Sequence, residues 1–210
     1  MASTVMHLAV VQELFRTHTF ASPARLKFGA ILPDAGPQNT SHLKITLESE
    51  HRKTYDLDAF RAAFGERMRQ DELYLGYYLH LVQDVCFRHF LYGLLGWDPH
   101  IPGNVDRLHH DYALLNAALI HEYGLENDIA VPAGFDAEPI HRLDPLDADA
   151  LLSALKTYFS AAVSGEAYFF TLERAEDYIR LAADWCRKEL EALTSGCPLL
   201  DAYACAWKDR

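Results

Sequence analysis

The sequence predicts an all-α protein, an irregular bundle of several helices that forms a single domain over residues 1–210. Half of the residues are hydrophobic, and in several segments they recur at the i, i+3, i+4 and i+7 spacing of a helix buried on one side. No alternation of strands and helices indicates a parallel sheet. A chain of 210 residues is long enough for one sizeable core. Residues 197–210 are expected to form a C-terminal tail.

The first predicted helix can be capped by Ser3 or Thr4 and runs to about Arg16. Its buried stripe consists of His7, Val10, Val11 and Leu14. His7 is therefore expected to face the core. Residues 17–55 contain several prolines and many polar residues, which predicts a long connection with room for a short helix. A loop of that length in a compact domain is usually functional.

Helical periodicity predicts five more helices, which are Asp56 to about Arg69, Glu72 to about Leu95, Asn104 to about Tyr123, Leu146 to Val163, and Thr171 to Thr194. The second of these is the most apolar and is expected at the centre of the bundle. Glycines typically follow the last turn of a helix, and Gly124, Gly165 and Gly196 occupy such positions. The prolines and glycine of Leu125–Pro145 predict a loop.

Composition excludes several classes of protein. The formal net charge is −11 and the lysines and arginines are scattered, which argues against tight binding of duplex nucleic acid. The four cysteines form no CxxC pair, so neither a zinc knuckle nor a disulfide framework is predicted. Neither a transmembrane segment nor a signal peptide is evident in the sequence, and a cytoplasmic location is expected.

Eleven histidines are many for this length, and two residues on the central helix give them a chemical context. His80 and Asp84 are four residues apart, so they share a helix face and can both point at one ion. An isolated HxxxD pair is usually a simple hydrogen bond between the two side chains. Here the pair lies in the apolar stretch LGYYLHLVQDVCF, and burying ionisable groups without a partner is costly.

Three further residues join this pair as candidate ligands. Asp34 lies in the turn GAILPDAG, and His42 lies in TSHLKI. Read alone, Asp34 is an ordinary turn aspartate, His42 a solvated loop histidine and His7 a core histidine. Three histidines and two aspartates on mostly apolar elements together suit zinc or another divalent transition metal, because imidazole and carboxylate are its usual ligands outside thiolate sites.

The order of HLAVVQELF, PD, SHL and YLGYYLHLVQD resembles the zinc-dependent phospholipase C family over roughly residues 5–92. That family shares its all-α fold with the single-strand-specific zinc nucleases. The resemblance implies one or two Zn²⁺ ions held by His7, Asp34, His42, His80 and Asp84. It makes Asp84 the bridging ligand, with Asp34, His42 and His80 completing one ion and His7 serving the other.

The function implied is metal-dependent hydrolysis of a small-molecule or lipid-derived phosphoester. Water between two ions loses its proton near neutral pH and attacks phosphorus. Asp34 and Asp84 are then the catalytic candidates, with Asp34 as the acid or base. A two-metal site would also attract an anionic substrate despite the acidic chain, because the ions are the largest local charges.

The chain departs from the family pattern after Asp84. The family has a histidine six residues later, whereas His89 follows by five, and no HxxxE pair occurs at the later histidines. The family also uses the N-terminal amino and carbonyl groups of a processed chain. Further metal or substrate contacts could come from His89, or from His109 and Asp111, which a helical wheel places beside the buried stripe of their helix.

Two other functions compete with this interpretation. In a phosphohydrolase of the HD type, His110 and Asp111 would be the adjacent dyad, His80 the upstream histidine, and a nucleotide the substrate. In a non-catalytic helical module, the metal would only stabilise the fold. Metal content and activity on a generic phosphodiester distinguish an enzyme from such a module.

Overall fold

The structure is a computed structural model that describes residues 1–161, 163–195, 197 and 199–208. The prediction of a helical protein is confirmed, with 63% of the described residues in helices. Within the described residues the α-helices are α1 (Thr4–Phe15), α2 (Pro23–Ile31), α3 (Gln38–Ser41), α4 (Leu57–Met68), α5 (Glu72–Arg88), α6 (Asn104–Glu122), α7 (Ala148–Ser160) and α8 (Leu172–Ser195). None of these helices is both long and apolar enough to cross a lipid bilayer.

A small antiparallel sheet, which the sequence did not predict, accompanies the helices. Its strands are β1 (Lys44–Leu47), β2 (Arg52–Tyr55) and β3 (Trp207–Lys208), in the order β1-β2-β3. Lys44 pairs with Tyr55 in the hairpin of β1 and β2. Strands of four residues or fewer are too short to show a clear alternation of apolar and polar residues. The sequence pattern therefore could not distinguish them from a loop. The third strand lies in the predicted tail 197–210, whose residues 198, 209 and 210 lie outside the described part.

The segment 17–55 is also more ordered than the predicted long connection. It contains α2, a 3₁₀ turn over Leu32–Ala35, the short α3, and the β1–β2 hairpin. Pro23 occupies the first turn of α2, where its missing N–H and fixed φ are tolerated. A helix of nine residues is marginal alone, so α2 depends on tertiary packing more than on local propensity.

Helix α5 is the central element, as predicted, and α2 crosses it at very short distance. A Cβ atom on Gly29 would lie 2.1 Å from the carbonyl oxygen of Leu73, and one on Gly76 would lie 2.4 Å from that of Leu26. Two glycines thus allow backbone to touch backbone. This contact brings the end of α2, and the 3₁₀ turn that follows it, beside the middle of α5.

Other element bounds differ modestly from the predictions. The central α-helix ends at Arg88 and continues as a π-helical turn, His89–Leu94. Helix α7 ends three residues before Val163, and Gly196, expected beyond α8, lies outside the described residues. The predicted loop Leu125–Pro145 contains two short 3₁₀ turns.

Gly76→Ala is expected to destabilise the protein by roughly 3 kcal/mol, because overpacking against rigid backbone must move one helix away from the other. For a domain of this size the melting temperature should fall by roughly 6–12 °C. Gly65→Ala on α4 is the matched control, since a Cβ there meets nothing within 4 Å. It should be stabilising by roughly 0.5–1 kcal/mol. Equal melting temperatures for the two variants would contradict the close crossing.

Candidate metal centre

Five side chains from four parts of the chain meet in the middle of the bundle. His7 comes from α1, Asp34 from the 3₁₀ turn after α2, and His42 from the position after α3. His80 and Asp84 lie one turn apart on α5. Asp34 keeps 11% of its side-chain surface exposed, and the other four side chains are fully buried. The structure therefore brings together all five residues that the sequence predicts as ligands.

The backbone around the two loop ligands is tightly turned. Pro33 is the second residue of the turn that carries Asp34, and its ring restricts the conformations open to that segment. Leu43, directly after His42, has φ 52°, in the left-handed region that non-glycine residues rarely adopt. This strained residue redirects the chain from α3 into β1. Such strain often occurs at functional sites.

Distances among the ligand atoms are close to the edge lengths of a small coordination polyhedron. His42 Nε2 lies 3.0 Å from His80 Nε2, 3.7 Å from Asp34 Oδ1 and 3.5 Å from Asp84 Oδ2. His80 Nε2 lies 3.9 Å from Asp34 Oδ1 and 3.8 Å from Asp84 Oδ2. Ligands at about 2.0–2.2 Å from a tetrahedral zinc ion are roughly 3.3–3.6 Å apart. The five distances bracket that spacing, so each carboxylate lies where it could bind an ion together with His42 and His80.

Hydrogen bonds on the outer side of His42 and His80 fix the ring tautomers. His80 Nδ1 lies 2.8 Å from the Ala30 carbonyl oxygen, which can only accept, so Nδ1 carries the proton. Ser41 Oγ donates to the Pro37 carbonyl and therefore accepts from His42 Nδ1 at 2.9 Å. Burial, with a contribution from neighbouring His7, lowers the pKa of His80 to about 3 and keeps it neutral. Both Nε2 atoms then present lone pairs.

Two lone pairs facing each other at 3.0 Å repel unless a cation lies between them. His7 adds a third, because its Nδ1 donates to Gln83 Oε1 at 2.9 Å. His7 Nε2, Asp34 Oδ1 and Asp84 Oδ2 are buried without a hydrogen-bond partner in the described structure. Buried polar atoms are nearly always satisfied. Their convergence in one place is what a metal centre with oriented histidines requires.

The two oxygens of Asp84 point to different histidines. Oδ2 faces His42 and His80, while Oδ1 lies 3.6 Å from His7 Nε2 and accepts the N–H of Ala2 at 3.1 Å. A carboxylate oriented in this way can be shared between two neighbouring ions. The arrangement is compatible with the bridging role that the resemblance implies for Asp84.

Asp34 differs from the other four residues because it reaches towards solvent. Its Oδ2 accepts a hydrogen bond from the Thr4 hydroxyl at 2.9 Å, and its Oδ1 faces the histidines. Burial acts to raise the pKa of Asp34, but its interaction with His42 is the main effect that holds that pKa below the usual range. Asp34 is therefore ionised at neutral pH.

A cavity of about 890 Å³ opens beside the centre. Asp34 and residues 1–4 form its polar end, together with Arg88. Apolar side chains from the π-helical turn, the loop after it, α6 and α7 form most of the remaining wall, among them Leu91, Trp97, Leu108, Leu151 and Tyr158. Ligand sites of this size, mostly apolar with a few polar groups, are typical of small-molecule binding.

Asp111 has a structural role that replaces the predicted metal or substrate contact. Its carboxylate accepts backbone N–H groups from Tyr168, Phe169 and Phe170 at 2.7–2.8 Å. These bonds hold the segment before α8 against α6 and commit both oxygens. His110, its partner in the HD interpretation, lies 3.6 Å from Asp111 Oδ1 and is 39% exposed. The structure gives this dyad no place at the five-residue centre.

The other two additional candidates have different positions. His89 packs against the Trp185 ring of α8, with 5.6 Å between the ring centres, and is absent from both groups of clustered ligands. His89 therefore lies apart from the five-residue centre, with its ring against α8, and its predicted metal or substrate contact stays a prediction. His109 is exposed and lines the rim of the cavity, where it can contact a bound molecule.

Sequence reasoning missed the residues that orient the ligands. Ser41 and Gln83 each adjoin a ligand in sequence and hold a histidine, while Thr4 holds Asp34. Their sequence signal was their position, because Ser41 directly precedes His42 and Gln83 directly precedes Asp84. The acceptor at Ala30 is a backbone carbonyl, so no side chain marks it in the sequence. It is identified only by the crossing of α2 and α5.

Searches against protein-family models, curated proteins and solved structures find no match to this chain. The likeness to zinc-dependent phospholipase C stays a prediction from the ordered sequence segments. The assignment of a metal centre is based on the geometry of the five side chains alone.

Proposed function

We propose that this chain is a zinc-dependent hydrolase of phosphoesters. The observation that carries the proposal is the convergence of three imidazole Nε2 atoms and two ionised carboxylates beside a cavity of about 890 Å³. Imidazole and carboxylate ligands favour zinc and similar divalent transition metals over calcium and magnesium, which prefer oxygen alone.

The number of ions follows from how the ligands are shared. His80 belongs to both groups of clustered ligands, one with His7 and Asp34 and one with His42 and Asp84. A single Nε2 binds a single ion, so the two groups cannot both be filled through His80. We propose one ion held by Asp34, His42, His80 and Asp84, because five distances among their ligand atoms are 3.0–3.9 Å. A second on the His7 side would have to share the carboxylate of Asp84.

The protein residues have separable roles in such a reaction. Bound zinc would lower the pKa of water and neutralise phosphoryl oxygens. Asp34 lines the cavity, with its buried Oδ1 facing the histidines and its Oδ2 bonded to Thr4; it would act as acid or base where Oδ1 is not bound to the ion. Gln83 and Ser41 orient His7 and His42. The apolar wall of the cavity favours a phosphoester with an apolar group.

A structural metal site is the second candidate, and burial favours it. Of the five ligands, four are fully buried, and closed four-ligand zinc sites are typically structural. In that case the ion would add stability without turnover. An HD-type nucleotide hydrolase has less support because Asp111 is committed to backbone N–H groups.

Metal analysis of protein purified without an affinity tag is expected to find one or two zinc ions per chain. The same protein should hydrolyse bis-p-nitrophenyl phosphate, lose this activity on chelation and regain it on addition of zinc. If the protein binds zinc but hydrolyses no phosphodiester, phosphomonoester or nucleotide, the metal site is structural, as in the second candidate. Protein that binds no divalent metal would contradict both candidates.

A further inference from the structure

Arg88 follows Asp84 by one helical turn at the end of α5, about 6 Å further along the helix axis. Its side chain is mostly buried and is held by aromatic residues. Nε donates to the Tyr55 hydroxyl at 3.3 Å, and Nη1 donates to that of Tyr92. The guanidinium also lies over the rings of Tyr92 and Trp207, at 5.3 and 5.2 Å from their centres. These contacts fix its position.

Among the described residues, no carboxylate lies within ion-pair distance of Arg88, and Nη2 has no protein acceptor. The part-buried Arg25 shows the usual arrangement, because it forms ion pairs with Asp71 and Glu138. Burying a charge is costly unless it is paired with an opposite charge. The fixed guanidinium of Arg88 therefore has capacity for an external anion.

Asp34 of the metal centre and Arg88 line the same cavity. Its lining also includes residues 1–4 and Tyr92. A molecule that fills this cavity therefore borders both Asp34 and Arg88. The planar guanidinium matches phosphate oxygens by forming two parallel N–H···O bonds.

We propose that Arg88 binds an anionic oxygen of the substrate and makes the site selective for anionic phosphoesters over neutral esters. This inference rests on the proposed function for the identity of the substrate. The binding step itself requires only an anion, so it can be measured without turnover.

The test is calorimetric titration of inorganic phosphate into zinc-loaded wild-type, Arg88→Met and Arg88→Lys protein. Loss of a charged hydrogen bond should weaken phosphate binding by roughly ten- to hundredfold in Arg88→Met. Arg88→Lys keeps the charge without the planar fork and should show a smaller loss. Zinc content should remain that of the wild type in both variants.

Arg61→Met is the matched control. Arg61 also contacts a tyrosine hydroxyl, that of Tyr78, but pairs with Asp58 and does not line the cavity. Its loss removes the same charge and should leave phosphate binding unchanged. The proposal is overturned if folded Arg88→Met binds phosphate as tightly as wild type, or if Arg61→Met weakens binding equally. Should Arg88→Met not fold, a wild-type dissociation constant for Arg88→Lys overturns it.

Substrate preference separates this inference from the proposed function. For an active wild type, Arg88→Met should lower kcat/KM for bis-p-nitrophenyl phosphate at least tenfold more than for neutral p-nitrophenyl acetate. If the wild type hydrolyses no phosphoester, the proposed function fails, yet the phosphate titrations still decide whether Arg88 binds anions. An equal loss on both esters contradicts selectivity through Arg88.

Discussion

His80→Ala is expected to abolish tight zinc binding and to lower the melting temperature of zinc-loaded protein by about 10 °C. His80 Nε2 lies within 4 Å of three other ligand atoms, so its loss opens the centre on several sides. A metal that binds only the folded state at about 1,000 times its dissociation constant adds about 4 kcal/mol of stability. Each kcal/mol corresponds to about 2–4 °C for a domain of this size.

Thermal unfolding with and without chelator measures this effect directly. Chelation should lower the melting temperature of the wild type strongly and that of His80→Ala very little. His89→Ala is the matched control, because His89 follows α5 directly but packs on Trp185. It should respond to chelator as the wild type does. Equal chelator effects on wild type and His80→Ala would exclude metal binding through His80.

The sequence was most informative about α5. Its length and apolar character predicted a central buried helix, and the four-residue spacing predicted that His80 and Asp84 share a face. Both features depend on local geometry, which a 3.6-residue period determines. The hairpin of β1 and β2 escaped prediction because each strand has four residues and gains its stability from contacts distant in sequence.

The loop ligands illustrate the limit of local reasoning. Asp34 and His42 were included because ordered segments resemble a family, since spacing alone cannot place two loops against one helix face. Their positions depend on the close crossing of α2 and α5 at Gly29 and Gly76. A single glycine in a helical pattern does not indicate that another helix crosses there.

The helical wheel placed Asp111 beside the buried stripe of α6, and the structure shows it fully buried, with partners that the wheel could not identify. Those partners are backbone N–H groups at 168–170, more than 50 residues later in the chain. Periodicity predicts which side of a helix is buried. It does not distinguish a carboxylate that binds metal from one that binds main chain.

Asp84→Asn is expected to reduce zinc binding to at most one ion and to lower phosphodiester hydrolysis by more than the fall in zinc content. The change preserves shape but removes the charge and one strong ligand oxygen. Since Oδ1 faces His7 while Oδ2 faces His42 and His80, losing the shared carboxylate should mainly release an ion on the His7 side. Hydrolysis in two-metal sites needs both ions, whereas one ion can remain as a structural element.

Asp111→Asn is the matched control, because it neutralises another fully buried carboxylate that binds only backbone N–H groups. It should lose stability but retain the zinc stoichiometry of the wild type. His7→Ala should resemble Asp84→Asn if a second ion is bound between His7 and Asp84. Zinc titration of all three variants, with hydrolysis followed in parallel, separates these outcomes. If the wild type is fully active with one ion, or if His7→Ala changes neither zinc stoichiometry nor hydrolysis, then His7 is not a metal ligand. It is then a core histidine stacked on His80.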